Sequence, residues 1–195
     1  MQFSNRILLG RCGSLTFTRA CSHISNFSAA HESQSRILGE AHFHYPPNHI
    51  EVDNRLSWFL GRLDKIYGQD AYYVHLLRNE EKVAESYKNR FGSGIIRGYA
   101  KGIMMGHHPK AVAKELCLDY CKTVNANIEL FLKDKSHQMN FELENAKSHF
   151  TEFWKWIEAE GDFNSALLEW DINHNKSPQR FNFMKSFWTS KNTNT

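Results

Sequence analysis

The residues with the clearest chemical potential lie near the amino terminus, in the glycine-containing stretch 10–16 (GRCGSLT). The apolar segment 6–9 precedes this stretch and predicts a strand. A helix is predicted after it by apolar residues at the spacing of one helix face, which are Phe17, Ala20, Cys21, Ile24 and Phe27. A glycine loop that opens a helix can bind an anion, because backbone N–H groups and the helix dipole point towards it. The stretch therefore predicts a phosphate-binding loop, in which Arg11 adds a fixed charge and Ser14 and Thr16 add hydroxyl donors.

A second candidate anion site follows the most apolar segment of the chain. Residues 71–77 (AYYVHLL) carry no charge, which is typical of a strand buried on both faces of a parallel sheet. Arg78 stands at the end of this strand, and Ser86 lies two turns along the next predicted helix, at the border of its buried face. An arginine can bind a phosphate through two parallel hydrogen bonds, and a serine hydroxyl can supply a third. Alternatively, Arg78 pairs with Glu81 or Glu85 and Ser86 faces solvent.

Both segments resemble motifs of the sulfotransferases that use 3′-phosphoadenosine 5′-phosphosulfate. Residues 11–16 (RCGSLT) are similar to the 5′-phosphosulfate loop, [KR]-x-G-[ST]-x-T, and residues 77–86 (LRNEEKVAES) are similar to the 3′-phosphate segment, [LV]-R-[ND]-x-x-x-[VA]-[AV]-x-S. The arginine at position 11 is nearer to the tyrosylprotein and carbohydrate branches than to the lysine-bearing cytosolic branch. The resemblance implies as cofactor-binding residues Arg11, Cys12, Gly13, Ser14, Leu15, Thr16, Arg78 and Ser86.

The same resemblance implies the fold and the reaction. It extends loosely over residues 6–170, and a late R-K-G segment that completes the 3′-phosphate site in cytosolic members has no counterpart here. The implied fold is α/β and P-loop sulfotransferase-like: a three-layer sandwich around a short central parallel sheet, with a helix-rich carboxyl-terminal part. The implied cofactor is 3′-phosphoadenosine 5′-phosphosulfate, with adenosine 3′,5′-bisphosphate as product and no metal. The acceptor would be a hydroxyl on a carbohydrate or another small molecule.

In-line sulfuryl transfer needs a cation at the leaving oxygen and a base for the acceptor hydroxyl. Arg11 fits the first role by its place in the loop. Glu32 is the implied base, because it corresponds in spacing to the glutamate of the tyrosylprotein branch and follows the predicted strand 28–30 at a sheet edge where ligands bind. His31 is the competing candidate for the base, because imidazole exchanges protons near neutral pH. Side chains alternate along a strand, so only one of His31 and Glu32 can face the site. Alternatively, Glu32 pairs with Arg36.

The rest of the sequence predicts the helices, strands and loops that position these candidate site residues. Residues 33–51 show little periodicity and are expected to form a long loop that carries substrate contacts or a lid, or else to be disordered. Residues 92–106 are glycine-rich and irregular, and are expected to form either a mobile flap that contacts substrate or a loop that covers the core. Apolar periodicity and capping residues predict further elements: a helix over 56–67 that ends at Gly68, a helix capped by Asn79, a long helix over 109–135, a strand over 139–143, and helices around 150–157 and 163–170.

Composition places the chain among soluble globular proteins, with 41% hydrophobic and 23% charged residues in 195. We expect a single domain over 1–195, with a polar tail over 173–195 that is partly disordered. No apolar run approaches the ~20 residues of a membrane span, and the net charge of +3 is too small to favour nucleic acid. The oligomeric state is left open. The four cysteines are expected to be buried free thiols, which favours a reducing, cytoplasmic location. His42, His44, His107 and His108 lack ligand spacing and are expected at the surface or in substrate loops.

A different class of protein fits the amino-terminal stretch 1–30 equally well. This stretch contains Arg6, Arg11 and Arg19, many serines and threonines, and no acid before Glu32, a composition typical of a mitochondrial transit peptide. The alternative hypothesis is therefore a mitochondrial subunit or assembly protein with no catalysis, whose leader is cleaved. A kinase-like nucleotide domain is disfavoured, because Ser14 stands where such loops carry lysine.

Overall fold

The protein is described from a computed structural model, which describes residues 5–10, 13–88, 92, 94–106, 109–172 and 174. Its centre is a sheet of five strands. These are β1 (Arg6–Leu9), β2 (Ser28–His31), β3 (His49–Val52), β4 (Tyr72–Leu77) and β5 (Gln138–Glu142). Their order across the sheet is β2-β3-β1-β4-β5, and every neighbouring pair is parallel. The predicted α/β fold with a short parallel sheet is confirmed.

Helices lie between most successive strands, in the crossovers that parallel strands require, and further helices follow β5. They are α1 (Ser14–Cys21), α2 (Leu60–Tyr67), α3 (Glu80–Lys88), α4 (Gly94–Gly98), α5 (Ala113–Leu132), α6 (Ala146–Trp156) and α7 (Phe163–Leu168). Asn79 caps α3 as predicted, since its Oδ1 accepts a hydrogen bond from the backbone N–H of Lys82 at 3.1 Å. Within the described part of the chain, no helix combines the length and the apolar character that a membrane crossing needs.

Two apolar cores form because β1 is buried on both faces. Ile7 and Leu9 face a core built with α2, α3 and α5, whereas Leu8 faces a second core built with α1, α6 and α7. All three side chains are fully buried. Burial on both faces explains why residues 7–9 of this strand are all apolar. The sheet therefore lies between two helical layers.

The position of β1 argues against the cleaved-leader hypothesis. β1 is the middle strand, paired with β3 on one side and β4 on the other, and β2 and α1 also lie before Glu32. Cleavage at the end of such a leader would remove the centre of the sheet and part of each core. The described fold needs this segment in place.

Residues 33–51 are not a simple loop, so that prediction was wrong. They contain a 3-10 helix, Glu40–Phe43, and most of strand β3. β3 escaped detection because two of its four buried residues, His49 and Glu51, are polar, a pattern that usually indicates a loop or an exposed face. The two side chains satisfy each other, with His49 Nε2 3.0 Å from Glu51 Oε2.

Residues 92–106 are also more regular than predicted. α4 is followed by a π-helical turn, Tyr99–Ile103. Ile96, Tyr99 and Ala100 are buried in the core with α5, so packing outweighs the low helix propensity of the glycines. The histidine pairs were predicted at the surface or in substrate loops; His42 is not at the surface, because it is buried. His44 is exposed, and His107 and His108 lie outside the described residues.

Candidate functional site

A cleft opens at the carboxyl edge of the sheet, where β1 and β4 pass to their helices. Ligands of open α/β sheets bind at this edge. The cleft is narrow, with a cavity volume of about 30 Å³. Its lining combines residues from the two predicted phosphate segments with a wall from α3 and α5: Gly10, Asn54, Leu76, Arg78, Glu80, Val83, Tyr87, Tyr120, Cys121, Val124 and Asn125.

The predicted phosphate loop begins at this cleft. Gly10 has φ of 99°, and a Cβ placed there would lie 2.5 Å from the carbonyl oxygen of Leu76 in β4. Only glycine lets the chain turn this close to the neighbouring strand. Gly13 also has positive φ, 65°, and packs where a Cβ would meet Leu143 Cδ1 at 2.6 Å. Glycine is thus required at both ends of the turn; Arg11 and Cys12, which lie between them, are outside the described residues.

The described remainder of the loop starts α1. Gly13 is its N-cap residue, Ser14 and Leu15 are half-buried, and Thr16 is buried in the first turn. The Ser14 hydroxyl lies 3.0 Å from His31 Nε2 at the end of β2. The structure therefore brings one candidate base, His31, against the predicted cofactor loop.

Arg78 lines the same cleft as Gly10, the residue that precedes Arg11. The alternative in which Arg78 pairs with an acid of α3 is not formed, because Glu81 pairs with Lys114 and Glu85 pairs with Lys88. Among the described residues, no carboxylate forms an ion pair with Arg78. A half-buried guanidinium that forms no ion pair with a described carboxylate is suited to bind an anionic ligand.

The position of Ser86 in the helix predicted that its side chain borders the buried face. The structure does not confirm this prediction. Ser86 is exposed on α3, and it is not part of the cleft lining. The inner face of α3 is made by Ala84 and Tyr87, which are buried. A contact from Ser86 to a ligand would therefore form outside the cleft, above its α3 wall.

Glu32 follows β2 in a left-handed conformation, with φ of 53°. Its Oε2 lies 2.6 Å from a terminal nitrogen of Arg55, and Arg55 Nε lies 3.1 Å from Asp53 Oδ1. The partner of Glu32 is thus Arg55. The alternative hypothesis from the sequence, a pair with Arg36, is wrong. Burial raises the pKa of Asp53, and the hydrogen bonds and charge of Arg55 oppose that rise. The Asp-Asn-Arg run after β3 was the available signal for this cluster, and it was missed together with β3.

A chain of polar side chains runs from the sheet into the cleft. His75, on β4, is 1% exposed, and its Nε2 lies 3.4 Å from Asn125 Oδ1 on α5. The amide nitrogen of Asn125 donates to Glu80 Oε1 at 3.2 Å. Burial lowers the pKa of His75, and the hydrogen bond with Asn125 opposes that shift. His75 is therefore a neutral donor in this chain at neutral pH.

This burial predicts a pH dependence of stability. The unfolded chain binds a proton at His75 near pH 6.5, whereas the folded protein resists that proton, so the stability contributed by neutral His75 is complete above pH 6.5 and is lost as the pH falls towards the lowered pKa. We expect the free energy of unfolding, measured in urea between pH 7.5 and 5, to fall less in His75→Gln than in the wild-type chain. Exposed His44→Gln is the matched control. Parallel curves for wild type and His75→Gln would contradict the assignment.

Comparison of the chain with protein-family models, curated proteins and solved structures found no match. The function is therefore inferred from the geometry of the cleft. Among the described residues, no group of three or more His, Cys, Asp or Glu side chains is arranged to hold a metal ion. The cleft offers a glycine turn and a cation on one side and an apolar wall on the other. The lining therefore places the Arg78 guanidinium beside an apolar surface at the carboxyl edge of the sheet.

Proposed function

We propose that the protein is a sulfotransferase, which moves a sulfuryl group from 3′-phosphoadenosine 5′-phosphosulfate to a hydroxyl acceptor by in-line displacement. One observation carries this proposal. Gly10, which directly precedes the first phosphate segment (11–16), and Arg78, which belongs to the second (77–86), line a single cleft, although they lie far apart along the chain. The fold class and the strand-to-helix position of both segments agree with it.

In this proposal, residues 11–16 hold the 5′ end of the cofactor, and Arg78 and Ser86 hold its 3′-phosphate. Arg11 neutralises the oxygen that leaves with the bisphosphate. Glu32 and His31 are the bases named by sequence, but both are already engaged, Glu32 by Arg55 and His31 by Ser14. The acceptor is a carbohydrate or another small molecule. We place the protein in the cytoplasm, because Cys21, Cys117 and Cys121 are buried free thiols, which persist in reducing compartments.

Binding of the product, adenosine 3′,5′-bisphosphate, is the direct test. At one hundred times the dissociation constant it would stabilise the fold by about 2.7 kcal/mol, a rise of about 5–10 °C in Tm for a chain of this size. We expect Arg78→Ala to weaken binding by about 30- to 150-fold, which corresponds to the loss of about 2–3 kcal/mol of charge-assisted hydrogen bonding. Differential scanning fluorimetry across a bisphosphate titration measures both effects.

The matched control is Arg19→Ala, because Arg19 is exposed near the opposite end of α1 from the loop. It should bind the bisphosphate as the wild-type chain does. Adenosine, which lacks both phosphates, should cause no comparable rise in Tm. Equal rises with adenosine and the bisphosphate, or an Arg78→Ala variant that binds like the wild type, would refute the proposed cofactor site.

A further inference from the structure

Ser28, His49 and Glu51 form a second polar cluster, which starts at the amino edge of the sheet, whereas the cleft lies at the carboxyl edge. Ser28 begins β2, His49 begins β3, and the two residues are partners in the parallel pairing of these strands. Their side chains share one face of the sheet, where the Ser28 hydroxyl lies 2.8 Å from Nδ1 of His49. Nε2 of the same ring lies 3.0 Å from Oε2 of Glu51. A serine, an imidazole and a carboxylate are therefore joined in sequence by hydrogen bonds.

The burial of this cluster increases from the serine to the carboxylate. Ser28 is exposed, His49 is 6% exposed and Glu51 is fully buried. Solutes can thus reach the hydroxyl, while the imidazole and the carboxylate lie behind it. Glu51 receives its hydrogen bonds from His49 and Ser33, so the Ser28 hydroxyl is not needed to satisfy the buried carboxylate.

The hydrogen bonds of Glu51 set the tautomer of His49. The backbone N–H of Ser33 donates to Oε1 of Glu51 at 2.8 Å, and the Ser33 hydroxyl donates to Oε2. The carboxylate also accepts from Nε2 of His49, so the neutral ring carries its proton there and presents the lone pair of Nδ1 to the Ser28 hydroxyl. The ring of Tyr45 stacks on the imidazole with an interplanar angle of 15° and centroids 5.4 Å apart, which holds the plane of the imidazole.

This arrangement has the parts of a nucleophilic triad. A serine hydroxyl becomes a nucleophile when a neighbouring imidazole takes its proton and a carboxylate orients that imidazole. In serine proteases the serine contacts Nε2 and the carboxylate contacts Nδ1, whereas the two nitrogens exchange these partners in His49. Either nitrogen of a neutral imidazole can accept a proton, so this exchange preserves the chemistry.

The charge behind Ser28 favours a neutral substrate. Among the described residues, no lysine or arginine forms a salt bridge with Glu51, so its negative charge is not neutralised by a fixed cation. A phosphate ester would be repelled by this charge, whereas a carboxylic ester is neutral. Because Ser28 is exposed, water solvates the oxyanion that forms at the carbonyl group, and the ester needs a good leaving group.

We propose that Ser28 is a nucleophile activated by His49, and that it transfers the acyl group of an activated carboxylic ester to water. In the first step Oγ bonds to the carbonyl carbon, and the hydroxyl proton passes to Nδ1 of His49. The alcohol then leaves with the electron pair of the broken C–O bond and takes that proton. In the second step a water oxygen bonds to the carbonyl carbon and gives its proton to Nδ1, and Oγ leaves with the electron pair and takes the proton back. Glu51 is a positioning residue.

Labelling of the full chain with a fluorophosphonate tests the nucleophile directly, because Oγ displaces fluoride from phosphorus and keeps the phosphonyl group. Ser22 is the control within the same chain, since it is exposed and its hydroxyl donates to the backbone carbonyl of Arg19. We expect label to form on Ser28 about 100-fold or more faster than on Ser22, because general bases typically contribute about 10²–10⁴. Peptide mass spectrometry over a time course measures both rates in one sample. Equal rates at the two serines would overturn the proposal.

Two variants test the roles of His49 and Glu51. His49→Gln keeps a donor for Glu51 but cannot take a proton, so it should lower the labelling rate of Ser28 by about 100-fold. In Glu51→Gln the new amide donates to Nε2, which moves the ring proton to Nδ1 and blocks transfer from the serine, so a loss of about 100-fold or more is expected. Labelling of Ser22 should not change in either variant. Wild-type labelling of Ser28 in a variant that circular dichroism shows to be folded would refute the role of the residue changed. The ratio of Ser28 to Ser22 in the wild-type chain decides the proposal if neither variant folds.

The acyl donor para-nitrophenyl acetate tests the substrate class. We expect acetyl-Ser28 to form and then to be hydrolysed, and Ser28→Ala to lose this intermediate while Ser22→Ala keeps it. A wild-type chain without acetyl-Ser28, or one that instead takes phosphate at Ser28 from para-nitrophenyl phosphate, would overturn the ester class. Ser28→Ala should bind adenosine 3′,5′-bisphosphate as the wild-type chain does, so failure of this proposal is distinguishable from failure of the proposed sulfotransferase function.

Discussion

Gly10→Ala is expected to lower the free energy of unfolding by about 3 kcal/mol or more, from backbone strain and overpacking together. The backbone at this position has φ of 99°, where an L side chain is strained. The new Cβ would also lie 2.5 Å from the carbonyl oxygen of Leu76, which is backbone of the neighbouring strand and cannot rotate away. Urea unfolding monitored by circular dichroism measures the change.

Gly61→Ala is the matched control for this substitution. Gly61 lies in α2, and a Cβ added there meets nothing within 4 Å. Alanine should stabilise this exposed helical position by about 0.5–1 kcal/mol, because it has less backbone freedom to lose on folding. If the two variants changed stability by similar small amounts, β1 would not turn against Leu76 in the way described.

The helices and strands that were predicted correctly from sequence are those in which local residue preferences and tertiary burial agree. β4 carries no acidic or strongly basic residue because both of its faces are buried, and α3 is capped by Asn79. α2 ends at Gly68, as its glycine predicted. Because local chemistry and tertiary packing favour the same structure in these elements, a single sequence is sufficient to predict them.

β3 shows where this agreement fails. Buried Glu51 is stabilised by His49 of the same strand and by Ser33, a residue outside the strand, whose backbone N–H, at 2.8 Å, and hydroxyl both donate to the carboxylate. The Ser28 hydroxyl holds the other ring nitrogen of His49 at 2.8 Å. A strand with polar side chains can be buried when residues far along the chain satisfy its hydrogen bonds. Hydrophobic periodicity within the strand does not reveal such partners. With β3 missed, the Asp53–Arg55 pair beyond it was missed as well.

The candidate site divides in the same way. Arg78 was predicted as a site residue because it stands at a strand-to-helix corner, and Gly10 lies at the other such corner; parallel strands bring their carboxyl ends to one edge. The contact between Glu80 and Asn125 joins two helices whose packing angle no motif encodes. The salt bridge of Glu32 likewise required the position of β3. Motifs thus located the side of the cleft that is the candidate anion site, whereas only tertiary packing located the carboxylate side.

Phe17→Ala is expected to have the largest effect on stability, a loss of about 3–5 kcal/mol. The side chain is fully buried on α1 and lies edge to face with four rings: Phe141 at 4.9 Å, Phe153 at 5.0 Å, Phe150 at 5.6 Å and Trp170 at 5.9 Å. Truncation would leave a cavity that these rigid neighbours fill poorly. Because α1 also carries Ser14, the contact of that hydroxyl with His31 should loosen too. Guanidinium unfolding measures the loss of stability.

Two further variants separate packing from simple loss of apolar surface. Leu168→Ala removes an apolar side chain that is 60% exposed at the end of α7, and it should change stability by less than about 0.5 kcal/mol. Phe17→Leu keeps much of the volume but loses the edge-to-face geometry, so an intermediate loss of about 1–2 kcal/mol is expected. A Phe17→Ala loss as small as that of Leu168→Ala would mean that α1 does not pack against β5 and α6. The loop that α1 anchors would then not be held at the cleft, and the proposed cofactor site would lose its structural basis.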